Sequence, residues 1–140
     1  MTGSYAGDVT PLETWATLEE DQGAVLVDVR TQPEWNYVGL PDLARLGKNV
    51  LRIQWQNWPD GALNPHFVEE LAASGVGKDQ KVLLICRSGA RSRSAAQLLT
   101  QHGWAAAYNV SDGFEGPHDG EKHRGSVAGW KHDGLPWTQG

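Results

Sequence analysis

The chain has 140 residues, 39% of them hydrophobic and 21% charged, which is long enough for one domain with its own core and fits a folded globular protein, not a disordered or fibrous one. A net charge of −5 argues against a general nucleic-acid or anionic-membrane binder. No apolar run approaches the roughly 18 residues of a membrane span, the start MTGSYAGDVTPLETW lacks the basic and apolar parts of a secretory signal, and one cysteine cannot form an internal disulfide; a cytoplasmic location is the expectation.

In chain order, TPLETWATLEEDQG carries Thr10 as N-cap, Pro11 at the first helical position and Glu13 to complete a capping box, and predicts a helix ending near Gly23. AVLVDVR, Ala24 to Arg30, is a β-branched apolar run and predicts a strand buried on both faces. TQPEWNYVG reads as a capped turn of helix. KNVLRIQW alternates Val50, Arg52 and Gln54 with Leu51, Ile53 and Trp55, the pattern of an edge strand. NPHFVEELAASG repeats the helix signals, with Asn64 as N-cap, Pro65 at the first position and Gly75 as the stop. KVLLIC is the next buried strand, SRSAAQLLTQHG a helix from about Ser92 to Gly103, and AAAYNV a last strand.

The residues from Ser111 onward are glycine-rich and predict an ordered, loop-rich tail with one short helix near Ser126 to Lys131, given something to pack with by Phe114, Trp130 and Trp137. Strands alternating with helices predict an α/β fold: a mostly parallel central sheet of four to five strands flanked by helices. Ligands of such sheets sit at the carboxyl ends of the strands, and Cys86 occupies one such end.

The segment ICRSGARS places Cys86 where a strand passes into a helix, with Arg87, Arg91 and Arg93 close by and no acid among them. Backbone N–H groups of such a turn converge at the helix N-terminus. Gly89 permits a positive φ and Ala90 keeps the loop small, so the backbone can close around an anion. The helix dipole, Arg87 and Arg91 all favour negative charge there, which predicts a thiol acidified below about 8.5 and active as a nucleophile. A lone cysteine is more often inert packing, but that does not explain the cations and the glycine. Cysteine-dependent phosphatases space the cysteine and arginine as C-x5-R, whereas Cys86 to Arg91 is C-x4-R. The tighter loop fits a thiolate carrying one extra sulfur atom better than a phosphoryl group.

Three segments in order, VLVDVRTQPEW, LLICRSGARS and YNVSDGFEG, together with the ending GWKHDGLPW, identify the chain by resemblance as a single-domain rhodanese, a sulfurtransferase family. YVGLPDL departs from the Gly-His-Ile-Pro-Gly-Ala segment common in that family. The resemblance implies one rhodanese-like domain over residues 1–140, with a core of about 10–116 and an extension, 117–140, packing on it. It also implies thiosulfate sulfurtransferase activity. Cys86 attacks the outer sulfur of an anionic donor such as thiosulfate, sulfite leaves, and the persulfide passes its sulfur to cyanide or a thiol, without a cofactor or metal. Arg87, Ser88, Gly89, Ala90, Arg91 and Ser92 would form the loop that binds substrate and persulfide. The loops of related mercaptopyruvate sulfurtransferases typically lack these arginines. A different class of reading makes the domain a persulfide carrier or docking module for a protein acceptor, with incidental thiosulfate turnover; phosphatase or arsenate reductase activity is disfavoured by the loop length.

Asp28 and Arg30 lie at the carboxyl end of the first buried strand and are expected to support the loop, Asp28 by accepting its hydrogen bonds and Arg30 by pairing with Glu34 or a loop carbonyl. A simple strand-end ion pair is the plainer expectation. Ser88 and Ser92 can donate to the persulfide or, for Ser92 more readily, cap the helix. His118, His123, Asp119 and Glu121 match no strong zinc spacing and read as solvated loop. Trp35, Trp55 and Trp58 are read mainly as packing residues that can also wall a pocket mouth.

Overall fold

A computed structural model describes residues 4–116 and 128–138. The first helix forms as its signals dictate: α1 spans Pro11–Glu20, with the Thr10 hydroxyl accepting from the Glu13 N–H and the Glu13 carboxylate accepting from the Thr10 N–H. The apolar runs become strands β2 (Val25–Asp28), β5 (Val82–Ile85) and β6 (Ala107–Val110). Five parallel strands form one sheet in the order β1-β6-β5-β2-β4, where β1 is Gly7–Val9 and β4 is Leu51–Arg52 at the far edge. The register sets Asp28 beside Ile85, so the carboxyl ends of β2 and β5 lie side by side directly before Cys86.

Side-chain alternation along β5 divides the core into two layers. Val82 and Leu84 join Phe67, Leu71, Leu99 and Trp104 on one face. Leu83 and Ile85 join Leu18, Phe114 and Trp130 on the other. The first layer is covered by α3 (Phe67–Ala73) and α4 (Ala90–Gln101), the second by α1 and by the segment around Trp130. A helix α2 (Gln32–Tyr37) follows β2, and the short strands β3 (Leu40–Pro41) and β7 (Trp137–Thr138) pair antiparallel beside it.

Several expectations shift. β1 went unread, because Gly7–Val9 has no apolar run to announce it. α3 begins at Phe67 and not at Pro65: the Asn64 side chain accepts from the His66 N–H, an Asx turn that delays the helix. α4 begins at Ala90, two residues before the expected start, so Ser92 lies inside its first turn and is not its cap. Residues 128–134 form turns, not a helix; Ser126 and Val127, like His118, Asp119, Glu121 and His123, lie outside the described residues. Trp55 packs edge-on against Phe67 at 5.3 Å. Among the described residues no helix is long and apolar enough to cross a membrane.

Candidate active site

Cys86 follows the last residue of β5, and Arg87, Ser88 and Gly89 carry the chain into α4. Gly89 takes φ +111°, and a Cβ there would strike the Ser111 carbonyl oxygen, so only glycine fits both the backbone and the space. The resulting turn folds back on the sulfur: the Gly89 N–H donates to Cys86 Sγ at 3.1 Å, and Ser92 Oγ lies 3.3 Å from the same atom. The Arg93 N–H is bonded to the Gly89 carbonyl, so the N–H groups of Ala90, Arg91 and Ser92 are the ones α4 leaves without partners inside the helix. The helix dipole there favours negative charge. Cys86 is only 1% exposed, so its sulfur is shielded from bulk water.

The loop is held from below by the turn after β6. The Phe114 N–H donates to the Cys86 carbonyl at 2.8 Å, and the Glu115 and Gly116 N–H groups donate to the Arg87 carbonyl at 3.0 and 3.1 Å. Gly113 makes that approach possible, since its φ is +67° and a Cβ would lie 2.5 Å from the Arg87 carbonyl oxygen.

The two loop arginines part company. Arg87 is exposed and has no carboxylate partner among the described residues. Arg91 turns to Glu34 on α2 and forms a bidentate pair, Nη1 to Oε1 at 2.7 Å and Nη2 to Oε2 at 3.0 Å. Burial pushes the Glu34 carboxyl up, but the Arg91 hydrogen bonds and charge, with the Thr31 N–H and hydroxyl, outweigh it and hold Glu34 down at about 2. Of the expected pair of free cations around the sulfur, Arg91 is neutralised by Glu34, and Arg87 has no carboxylate partner among the described residues.

Asp28 and Arg30, both fully buried, form the strand-end ion pair: Arg30 Nη2 lies 2.7 Å from Asp28 Oδ2 and also donates to the Gly39 carbonyl at 2.6 Å. The guanidinium stacks 4.3 Å from the Phe114 ring centroid, touching the turn that supports Cys86. Glu34 is thus not the partner of Arg30, and the hydrogen bonds that Asp28 accepts come from Arg30, not from the Cys86 loop. Ser88 is half-buried and Ala90 exposed.

Sequence reading missed a polar line beneath the loop: Ser92 Oγ lies 2.5 Å from Asn109 Oδ1, and Asn109 Nδ2 donates to Asp8 Oδ1 at 3.0 Å. The available signal was an asparagine inside the apolar run AAAYNV, because a buried polar side chain needs a partner.

A family model described as STR4 middle domain matches residues 7–140. Among curated proteins, the chain is 35% identical over 131 residues to uncharacterized protein RC0915 of Rickettsia conorii, covering 93% of this chain and 95% of that one. It is 27% identical to rhodanese-like domain-containing protein 4, chloroplastic, of Arabidopsis thaliana, over 89% of this chain and 24% of that protein. A sulfurtransferase of Allochromatium vinosum is 28% identical over 85% of this chain and 82% of its own length. The crystal structure of Rv0390 from M. tuberculosis superposes with a TM-score of 0.88 at 49% identity, covering 98% of this chain and 100% of that one.

Proposed function

The chain belongs to the STR4 middle domain family and has a rhodanese-like fold, and from that premise we propose that it is a sulfurtransferase whose sulfur carrier is Cys86. The observation that carries this reading is the placing of Cys86 Sγ under the Gly89 N–H at the start of the twelve-residue helix α4. Such a cradle favours an anionic sulfur, and the four residues between Cys86 and Arg91, one fewer than in cysteine-dependent phosphatases, favour a sulfur atom over a phosphoryl group as its cargo. The Allochromatium vinosum relative, named a sulfurtransferase, supports the same chemistry.

The specific donor we propose is thiosulfate or a similar anion. The Cys86 thiolate attacks the outer sulfur, the S–S bond of thiosulfate breaks, and sulfite leaves with the electron pair. The Cys86 persulfide then loses its terminal sulfur to cyanide or a thiolate, which restores the original thiolate with no oxidant or reductant consumed. Arg87, exposed on the loop, supplies the charge that draws the donor in, while Arg91 braces the loop through Glu34. Asp28 and Arg30 support the site indirectly, through Phe114.

Steady-state transfer from thiosulfate to cyanide tests this. Two half-reactions sharing one enzyme-bound sulfur give parallel double-reciprocal lines, and Cys86→Ser removes the activity. Turnover that persists in Cys86→Ser would overturn the assignment. Weak thiosulfate turnover beside fast transfer to a purified protein acceptor would favour the carrier reading over the thiosulfate enzyme.

A further inference from the structure

We infer that Asn109 is a positioning residue that governs how readily Cys86 gives up its proton, by holding the single hydroxyl proton of Ser92 away from the sulfur. The argument starts at the surface. The exposed Asp8 carboxylate can only accept hydrogen bonds, so the edge of the Asn109 amide facing it at 3.0 Å is the NH2 group. That fixes the other edge: the Asn109 carbonyl oxygen faces Ser92 at 2.5 Å. Tyr5 secures the far end, donating its hydroxyl to the same Asp8 oxygen at 2.7 Å.

Ser92 has one proton and three neighbours able to take it: Asn109 Oδ1 at 2.5 Å, the Gly89 carbonyl at 3.3 Å and Cys86 Sγ at 3.3 Å. The nearest, an oxygen with no donor of its own to offer, takes it. What Ser92 then presents to the sulfur is a lone pair, which suits a thiol S–H and opposes a thiolate. For the hydroxyl to turn and serve the thiolate, it must abandon the Asn109 carbonyl in a fully buried site, and an unpaired buried acceptor is costly. Asn109 thus biases Cys86 towards its protonated form and restrains its reactivity between encounters with a donor.

This rests on Cys86 being the sulfur-carrying nucleophile, but the effect is on the thiol and is read without turnover. Other charges on the elements around Cys86 are Arg87, Arg91 and Arg93 on its own loop and helix, Arg93 reaching Tyr5 at the end of the line, with Asp28 and Arg30 on the β2 side and Glu34 on α2. Asp112 and Glu115 lie on the turn after β6, and Asp8 reaches the site through Asn109. The charged side chains themselves are all retained in Asn109→Val and in Ser92→Ala, but Asn109→Val also cuts the link to Asp8, so it is the comparison of Asn109→Val with and without Ser92 that isolates the hydroxyl.

Cys86 is the single cysteine, so the NMR shift of its isotope-labelled Cβ, followed against pH, reports one titration. Asn109→Val is expected to lower the midpoint by about one pH unit by freeing the hydroxyl to donate to the thiolate, and Ser92→Ala to raise it by a similar amount. The effect of Asn109→Val is expected to vanish in the Ser92→Ala background. If Asn109→Val does not fold, Asp8→Ala replaces it, since it releases the amide from its orientation at an exposed site. It too is expected to lower the midpoint by more with Ser92 present than in Ser92→Ala. An unchanged or raised midpoint, or an equal shift with and without Ser92, would overturn the inference; a wild-type protein that transfers no sulfur while these shifts are seen would instead count against the proposed function.

Discussion

Arg91 on α4 and Glu34 on α2, 57 residues apart in sequence, meet in a two-pronged ion pair beside the cysteine loop. Pattern alone marks Arg91 as a cation aimed at the sulfur; in the structure its charge is shared with a carboxylate that also caps α2 through Thr31. The pair pins the first turn of α4, and so the cradle, to the neighbouring helix.

Breaking that pair should loosen the cradle more than it destabilises the protein. Both side chains are about a fifth exposed, which limits the pair to about 1 kcal/mol. Glu34→Gln is expected to lower kcat for sulfur transfer while shifting the denaturant midpoint only slightly. An unchanged kcat would show that the pin does not matter to the loop.

The same pair carries a pH signature. The folded Glu34 pKa, lowered to about 2, lies below its ordinary 4.5. A depressed carboxylate contributes stability that is fully present above the unfolded value and is lost as pH falls from about 4.5 towards about 2. Stability of the wild type should therefore fall across that window by about 1 kcal/mol more than that of Glu34→Gln. Equal losses in urea titrations at both ends of the window would refute this.

Asp28 and Arg30 present the opposite case, a fully buried pair. Removing one member strands the other, so Asp28→Ala should destabilise by about 3–5 kcal/mol. Replacing both with apolar residues, Asp28→Leu with Arg30→Met, should recover much of that loss. Denaturant unfolding of the single and double variants separates a stranded charge from a simple packing defect.

Gly113 and Gly47 have nearly the same φ, +67° and +68°, yet only Gly113 sits against backbone, at Arg87; nothing lies near a Cβ at Gly47. Gly47→Ala should cost about 1 kcal/mol of backbone strain. Gly113→Ala should cost distinctly more and reduce sulfur transfer as well, because the Arg87 carbonyl must move. Equal thermal shifts in the two variants would remove the turn after β6 from the account of the site.

How much of this was legible depended on the kind of signal. Helix α1 was visible because Thr10, Pro11 and Glu13 each do a local job that sequence displays. β2, β5 and β6 were visible because strands covered on both faces are written as largely apolar runs. β1 was not, since an edge strand of three residues can pair through backbone alone. Cys86 and its glycine were legible as a loop, but the partner of Arg91 was not. A long side chain can reach several carboxylates, and only the folded chain, in which Arg30 occupies Asp28, shows that Arg91 takes Glu34. Ser92 was misplaced for a related reason: Gly89, not a side-chain cap, starts α4.

The most direct test of the central claim is the intact mass of the protein after incubation with thiosulfate and removal of excess reagent. The account predicts a gain of one sulfur atom, localised to Cys86, reversed by cyanide and absent in Cys86→Ala. A wild-type protein that is folded, has its thiol free and gains no sulfur from thiosulfate would contradict it.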